Sequence, residues 1–277
     1  MTLRPMSDPI SSRLNFALES SSRAAELILR YYHLGDVTVE LKADKTPVTA
    51  ADQGAEQLLR DEILKAFPQD GVLGEEFGET PGTSGYRWIL DPVDGTKSFI
   101  AGVPLFGTLV GVEFKGEPVI GLSRFPALGE VVYGSKGQGA WRQVGDAKPQ
   151  QARVRNTARL EDGIFTFTSV GGWDAAGKSE AFERLCRTAR LTRGWGDCYG
   201  HCLVATGRAD VHVDPVMSLW DCGALLPILT EAGGLFLSWD GVETTTGGNG
   251  ISTTPALKDQ VLDLLHGRTT PTTRGRD

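Results

Sequence analysis

Cysteine, histidine and long apolar runs are all scarce in this 277-residue chain. Its cysteines are too few for the disulfide framework of a secreted scaffold, so a reduced, cytoplasmic setting is predicted. They are Cys186, Cys198, Cys202 and Cys222. No apolar run reaches the roughly 18 residues of a membrane span, and the N-terminus has no signal-peptide pattern. We therefore expect no membrane partner.

Basic residues are outnumbered by acidic ones. Lys+Arg 28 against Asp+Glu 35 gives a formal net charge of −7. Non-specific nucleic-acid binding needs a positively charged face, so no nucleic-acid partner is predicted. The same acidity repels a phosphate ester, so a phosphate-binding site here would need cations.

Hydrophobic periodicity predicts helices and strands along the whole chain. Apolar residues recur at helical spacing from Ile10 to Tyr32. A second helix is predicted from near Asp52 to Phe67, with Thr49 as its N-cap. Alternating residues between 106 and 143 indicate antiparallel hairpins. Strands and helices then alternate, and the last of these helices is predicted over 219–234, where a glycine pair ends it.

This change of pattern near residue 152 suggests two halves. We predict a mixed α/β (α+β) protein with an N-terminal half at 1–151 and a C-terminal half at 152–267. The remaining residues, 268–277, form a polar tail.

Carboxylates cluster at predicted strand ends and helix starts. The clusters are "GEEFGE" with Glu75 and Glu76, "LDPVDGT" with Asp91 and Asp94, and "SLWDCGA" with Asp221. Groups of hard oxygen ligands suit Mg²⁺ better than zinc. Asp-Pro and Asp-Gly are also common turn formers, and Asp221 could act as a helix cap. The recurrence of the pattern in three places favours the metal site.

The residues that follow the second cluster suit phosphate. Pro92 is expected to fix a turn that lets both aspartates and the Val93 carbonyl face one volume. Gly95 and Thr96 then open a helix, whose free amides and positive dipole end can bind a phosphate oxygen.

Three segments together resemble a known family. In this order, "GEE", "WILDPVDGTKSFIAGVP" and "SLWDCGALLPILTEAGG" are similar to the inositol monophosphatase family of lithium-sensitive, Mg²⁺-dependent phosphatases, over about residues 10–265. The resemblance implies a five-layered α-β-α-β-α sandwich, a homodimer and a small-molecule phosphate monoester as substrate. It also implies two or three Mg²⁺ ions per active site, with these ligands: Glu75, Asp91, the Val93 carbonyl, Asp94 and Asp221.

The resemblance implies a mechanism as well. Gly95 and Thr96 would hold the phosphate through their amides. Thr96, supported by Asp52, would orient a water activated by a metal on Glu75 and Asp91. A second metal, on Asp91, Asp94 and Asp221, would stabilise the leaving alkoxide.

The leaving group is predicted from residues further along. "DGTKSF" is nearer to the histidinol-phosphate phosphatase branch than to the inositol phosphatases, although the nucleotide-phosphatase branch also carries DGTK. Asp197 and Asp214 fall where the family lines its leaving-group pocket, to which Asp94 also belongs. Two acids suit a cationic alcohol, because an ammonium or imidazolium can pair with each. L-histidinol phosphate is therefore the predicted substrate, although Asp197 could instead cap a helix and Asp214 could be a turn residue.

Other readings stay open. The same chemistry could act on inositol phosphate, fructose 1,6-bisphosphate or a 3′-phosphoadenosine nucleotide, and a degenerate family member could be a binding partner in a complex. Cys198 and Cys202 are interpreted as small core residues rather than zinc ligands. His33, His212 and His266 receive no role. Lys42 and Lys45 are interpreted as solvated loop residues near the phosphate site.

Overall fold

The computed structural model describes residues 8–34, 39–41 and 47–268. Lys42, Lys45 and residues 269–277 of the predicted tail lie outside these ranges. The helices of the described residues are α1 (Pro9–Leu34), α2 (Ala50–Ala66), α3 (Thr96–Ile100), α4 (Val170–Ala175), α5 (Ser179–Thr188), α6 (Asp197–Ala205), α7 (Leu219–Cys222), α8 (Leu225–Glu231) and α9 (Lys258–His266).

The strands form three sheets. A two-stranded ribbon contains β1 (Val39–Leu41) and β2 (Pro47–Thr49). The large sheet contains β3 (Gly71–Gly74), β4 (Gly78–Thr80), β5 (Tyr86–Asp94), β6 (Gly107–Phe114), β7 (Glu117–Phe125), β8 (Glu130–Ser135), β9 (Ala140–Val144) and β10 (Gln150–Ala152). The small sheet contains β11 (Ile164–Thr166), β12 (Leu191–Arg193), β13 (Val211–Asp214), β14 (Leu235–Leu237) and β15 (Gly250–Thr253).

The large sheet is built mainly from the predicted hairpins. Its order is β10-β9-β8-β7-β6-β5-β3-β4, and β3 with β5 is its one parallel pair among the described strands. Small residues in these strands let helices approach the sheet closely. A Cβ on Gly121 of β7 would lie 1.9 Å from the Ala224 carbonyl oxygen, so only glycine fits there.

The small sheet has the order β12-β11-β13-β15-β14. Strands β12, β11 and β13 run parallel, whereas β15 is antiparallel to both of its neighbours. The parallel strands end at the same edge, which is where β13 places Asp214.

Five layers result from the packing of helices on both faces of each main sheet. Helices α1 and α2 share a core with one face of the large sheet. Helices α6 to α8 fill the space between the two sheets, and α4, α5 and α9 cover the far face of the small sheet. The predicted mixed α/β, five-layered α-β-α-β-α sandwich is confirmed.

The predicted helix over 219–234 is wrong in one respect, because it is two helices. Helix α7 ends at Cys222 and α8 begins at Leu225. Pro227 has no N–H to donate to the carbonyl of Gly223 four residues earlier, so the helical ladder is interrupted at that point. The break lets α7 point its acidic residue, Asp221, toward the end of β5.

Two further predictions concern the molecule as a whole. The boundary near residue 152 falls at the end of β10, the last strand of the large sheet, and the division into halves stays a prediction. No helix among the described residues has the length and apolarity needed to cross a membrane.

Candidate active site

Three of the predicted metal ligands converge at the end of β5. Asp91 and Asp94 lie on that strand and Asp221 on α7, and each offers a carboxylate oxygen within 4.8 Å of the other two. Asp221 lies more than a hundred positions further along the chain than the two aspartates of β5. The structure therefore brings the second and third acidic clusters of the sequence together.

A bulge in β5, rather than the predicted turn, sets the spacing of the two aspartates. Asp91 pairs with Leu109 and Asp94 with Gly107, with a register shift between them. The Val93 N–H donates to Asp91 Oδ1 at 3.1 Å, and Thr108 Oγ1 donates to the Pro92 carbonyl at 2.8 Å. The prediction of a free turn is wrong because the Thr108 contact from β6 keeps the segment in the sheet, while the Val93 contact is a local one within the bulge. A bulge at a strand end re-aims side chains, and here it brings both acids to one site.

Backbone amides orient the other two carboxylates. The Cys198 N–H donates to Asp94 Oδ2 at 2.5 Å, and the Ser218 N–H donates to Asp221 Oδ2 at 2.6 Å. Asp221 also forms a capping box with Ser218 at the start of α7. Its cap role and a ligand role are compatible, because the cap uses only one of its two oxygens.

The cluster is electrostatically strained in the absence of a cation. Burial and the charges of Glu75, Asp94 and Asp221 raise the pKa of Asp91 well above its ordinary value. Burial and neighbouring Asp197 and Asp221 do the same for Asp94, and burial is the main cause that raises the pKa of Asp221 to about 6. Buried, mutually repelling carboxylates fit a hard divalent cation, which would offset both penalties.

Glu75 follows β3 and is near enough for its charge to act on Asp91 and Asp221, although it is not one of the three converging carboxylates. Its backbone N–H donates to the Leu90 carbonyl at 3.2 Å, which ties the segment to β5. The next two amides, of Glu76 and Phe77, donate to the carboxylate of Glu56 at 2.8 and 3.1 Å. Glu56 is fully buried and also accepts from Arg60 Nε at 2.8 Å.

The sequence analysis missed Glu56. A signal was present, since Glu56 follows Asp52 by four residues and therefore lies on the same face of α2. A Cβ on Gly74 would lie 2.1 Å from its Oε1, so the glycine before Glu75 makes room for this carboxylate. Glu56 thus positions the segment that carries Glu75.

Asp52 and Thr96 have separate hydrogen-bond partners. The Asp52 carboxylate accepts from the Thr49 amide at 2.8 Å and from the Thr49 hydroxyl, which completes the capping box of α2. Thr96 Oγ1 donates to the Val93 carbonyl at 3.1 Å. Burial raises the pKa of Asp52. The support that Asp52 would give Thr96 stays a prediction.

A cavity of about 150 Å³ adjoins the carboxylate cluster. Asp94 and Asp221 line it together with the two predicted leaving-group residues, Asp197 and Asp214. Helix α6 begins at Asp197, with Gly196 as its N-cap, so Asp197 is not the cap itself.

Asp197 has an unusual backbone and a close neighbour. Its φ of 53° lies in the left-handed region that non-glycine residues rarely adopt, and such strain persists where the surroundings enforce it. Its N–H donates to Thr168 Oγ1 at 2.8 Å. A Cβ on Gly95, whose φ is +83°, would lie 3.1 Å from Asp197 Oδ2, so this side chain adjoins the predicted phosphate loop. Burial and Asp214 raise the pKa of Asp197 to about 7.

Asp214 at the end of β13 is paired with two buried histidines. Its Oδ2 lies 3.0 Å from His212 Nε2 and 3.3 Å from His201 Nε2. Burial alone would raise the pKa of Asp214, but the two histidines outweigh it and lower the pKa. The sequence analysis gave His212 no role, although strand alternation in "VHVD" places His212 and Asp214 on one face.

The cysteines have ordinary structural roles. Cys198 and Cys202 are buried and belong to the core between the two sheets, as predicted. All four cysteines are free thiols.

Most of the chain matches the model of one protein family. The description of that family is "Inositol monophosphatase family", and the match covers residues 10–269. The chain belongs to the inositol monophosphatase family. The prediction drawn from the three segments is thereby confirmed.

Relatives of this family member share much of its length. A histidinol-phosphatase of Chlorobaculum parvum is 43% identical over 86% of this chain and 90% of its own. A histidinol-phosphatase of Mycobacterium tuberculosis is 38% identical over 91% of this chain and 97% of its own. The extragenic suppressor protein suhB of Bartonella henselae has a solved structure that is 26% identical, with a TM-score of 0.83 over 92% of this chain and 98% of its own. The predicted class of phosphoric monoester hydrolase is confirmed at the level of this family.

Proposed function

We propose that this family member hydrolyses L-histidinol phosphate to L-histidinol and phosphate, with Mg²⁺ as cofactor. The observation that carries the proposal is the cavity in which Asp197 and Asp214 adjoin Asp94 and Asp221. Anionic side chains beside a phosphate site select an alcohol with positive charge, and histidinol carries a primary amine and an imidazole. The names of the two relatives described above support the same substrate.

The metal ligands in this proposal are Glu75, Asp91, the Val93 carbonyl, Asp94 and Asp221, and we propose two or three Mg²⁺ ions per site. Bound Mg²⁺ supplies a Lewis acid for phosphate oxygens and lowers the pKa of a coordinated water. The carboxylates among these ligands repel one another, and a divalent cation bound between them would offset that repulsion. We also propose that this chain shares the lithium sensitivity of its family.

The chain itself supplies the remaining contacts. The amides of Gly95 and Thr96 at the start of α3 bind phosphate oxygens. Thr96, Asp52 and Glu75 orient the attacking water, and Asp94, Asp197 and Asp214 hold the alcohol that leaves. No covalent intermediate is needed, because water attacks the phosphorus in line with the departing oxygen.

A substrate panel tests the assignment. With Mg²⁺, the purified protein should release phosphate from L-histidinol phosphate at least roughly tenfold faster than from inositol 1-phosphate, fructose 1,6-bisphosphate or a 3′-phosphoadenosine nucleotide, which corresponds to about 1.4 kcal/mol of discrimination. Chelation of the metal should abolish the release. Equal rates, or a preference for another ester, would reject histidinol phosphate.

A matched pair of variants locates the selectivity. Asp197→Asn should lower kcat/KM for L-histidinol phosphate by roughly 10- to 100-fold, since it removes one charge from the cavity. Asp240→Asn makes the same change at an exposed position outside the cavity and should have no effect. A family member that acts only as a binding partner would show no Mg²⁺-dependent release from any ester.

The proposed oligomeric state follows the family expectation, and the proposed compartment follows from the few cysteines of the sequence. We propose a homodimer in the cytoplasm. Sedimentation of the purified protein at several concentrations would test the first point, and a monomer throughout would reject it.

A further inference from the structure

The strongest unexplained feature is a buried pair of histidines behind the cavity. His201 on α6 and His212 on β13 are both 0% exposed. Their ring centroids lie 4.2 Å apart with an interplanar angle of 66°. Both Nε2 atoms approach one oxygen, Oδ2 of Asp214, at 3.3 and 3.0 Å. The rings pack edge to face on each other, and together with Asp214 they offer three ligand atoms within 4.8 Å of one another, so a bound metal is the alternative that a test must separate.

Hydroxyl groups on neighbouring strands set the proton positions of both rings. His201 Nδ1 lies 2.6 Å from Ser252 Oγ on β15, and His212 Nδ1 lies 2.8 Å from Thr166 Oγ1 on β11. A carboxylate can only accept, so each Nε2 that faces it carries the proton and each Nδ1 accepts from its hydroxyl. The single proton of the Thr166 hydroxyl has a second acceptor in the Val211 carbonyl, which is farther away at 3.3 Å. We assign these tautomers from the hydrogen-bond network.

The two oxygens of Asp214 therefore have different surroundings. Oδ2 accepts a hydrogen bond from His212 Nε2 at 3.0 Å, and His201 Nε2 lies 3.3 Å from the same oxygen with no hydrogen-bond partner among the described residues. Oδ1 is buried and has no hydrogen-bond partner among the described residues, although Asp214 lines the cavity. A buried carboxylate oxygen without a donor is costly unless a ligand supplies one.

The fold makes specific room for this arrangement. A Cβ on Gly200 of α6 would lie 2.2 Å from Cε1 and Nδ1 of His212. Only glycine allows the ring to pass there. Burial and His212 lower the pKa of His201 to about 4, so the ring that faces Asp214 from α6 is neutral at physiological pH.

We propose that His201 and His212 are positioning residues that fix Asp214 as an ionised carboxylate, with Oδ2 occupied and Oδ1 left for the cationic part of the leaving alcohol. This inference rests on the proposed function of the cavity. Imidazole donors suit the task better than an arginine, because a single N–H holds one carboxylate oxygen and leaves the other open, whereas a guanidinium would bind both oxygens as a fork. The pair thus makes Asp214 specific for esters of an amine- or imidazole-bearing alcohol.

Two substitutions at His212 separate positioning from bulk packing. His212→Phe removes the N–H donor and keeps a ring, whereas His212→Gln can keep an N–H near the Nε2 position. We expect His212→Phe to raise KM for L-histidinol phosphate about tenfold, with kcat changed less than about threefold. His212→Gln should recover most of the affinity. Hydrolysis of p-nitrophenyl phosphate, whose leaving group has no cation, should stay within about twofold of wild type.

These outcomes are independent of the physiological substrate. The substrate panel with the wild-type protein tests the proposed function. The histidine pair is tested by the ratio of kcat/KM for the cationic ester O-phosphoethanolamine to kcat/KM for p-nitrophenyl phosphate. That ratio can be measured even if histidinol phosphate proves to be a poor substrate. Equal losses on both esters, or no recovery by His212→Gln, would overturn the inference.

A measurement on the wild-type protein covers the case in which His212→Phe does not fold. Long-range ¹H–¹⁵N correlation spectra of the folded protein distinguish the two imidazole tautomers, and we expect Nε2–H for both rings. Nδ1–H tautomers would mean that no N–H faces Asp214 and would overturn the positioning role. One tightly bound transition-metal ion per chain that is lost in His201→Gln would overturn it too, because the pair would then bind a metal.

Discussion

Asp94 is half-buried beside Asp197 and Asp221, and this crowding has a measurable consequence in the metal-free protein. Asp94→Asn keeps an acceptor for the Cys198 amide and removes one of the repelling charges. We expect the metal-free variant to melt about 2–4 °C above metal-free wild type, which is the shift that 1 kcal/mol produces in a chain of this size. Hydrolysis should fall by roughly 10²–10³-fold.

Paired melting curves with and without Mg²⁺ check this prediction. Wild type should gain stability from the ion, because ligands of the folded state stabilise it by mass action, and the variant should gain much less. A variant that is less stable than wild type without metal would mean that Asp94 contributes to the fold rather than strains it.

Single residues differ in how far the sequence revealed them. Asp91, Asp94, Gly95 and Thr96 are adjacent in sequence, so their pattern was readable before the fold was known. The contact between His201 and Asp214 depends on how α6 packs on the small sheet. Pairings of this kind come from tertiary structure, and no local pattern encodes them.

At the scale of elements, α2 connects the metal site to the outer layer. The buried carboxylate of Glu56 accepts hydrogen bonds from the backbone amides of Glu76 and Phe77. It thereby holds in place the segment that carries Glu75. Glu56→Gln places an NH₂ group against these donors and leaves Arg60 without its ion pair. We expect the Mg²⁺ concentration for half-maximal activity to rise roughly tenfold, as for other residues that orient metal ligands, with kcat at saturating Mg²⁺ close to wild type.

The same helix offers the control. Glu62 on α2 forms an exposed ion pair with Arg23 of α1, and Glu62→Gln removes the same charge away from the site. Its Mg²⁺ activation curve should match that of wild type. An unchanged curve for Glu56→Gln together with a lower kcat would show that Glu56 acts on the reaction in another way.

The prediction of helices and strands succeeded where the hydrophobic periodicity extended over many residues. It failed where a contact between neighbouring strands determined the local structure. The expected helix from Ile10 to Tyr32 is α1, and Thr49 caps α2 as expected. The expected turn at Pro92 is a bulged strand, because Thr108 of the adjacent strand β6 holds its carbonyl. A rule that predicts turns from neighbouring residues cannot include a partner sixteen residues away.

At the scale of the whole molecule, the two halves share one core. Phe125 and Val132 of the large sheet belong to the same buried cluster as Leu203, Leu229 and Phe236 from the second half. A fragment of residues 1–151 would expose this face of its sheet to water. We therefore infer that the boundary near residue 152 separates two sheets rather than two independently folding domains.

Glu130 of β8 provides a test of this coupling, because it binds both halves. It is buried and accepts from Arg142 of β9 at 3.0 Å and from Arg208, which follows α6, at 3.2 Å. Glu130→Gln should lower the free energy of unfolding by about 1.5–3 kcal/mol, the range for hydrogen bonds to a charged group. The transition should stay single, since neither half keeps its core without the other. Glu117→Gln, which breaks an exposed pair with Lys136, is the control and should have little effect.

The pH dependence of the same variant gives a sharper criterion. Burial alone would raise the pKa of Glu130, but hydrogen bonds from Arg142 and Arg208 outweigh it and lower the pKa below its ordinary 4.5. A carboxylate with a lowered folded-state pKa stabilises the protein above its unfolded pKa and loses that contribution as the pH falls through the folded value. The difference between wild type and Glu130→Gln in urea unfolding should therefore be full above about pH 5 and shrink below it. A difference that is constant down to pH 3, or two separate transitions, would show that Glu130 does not join the halves through its charge.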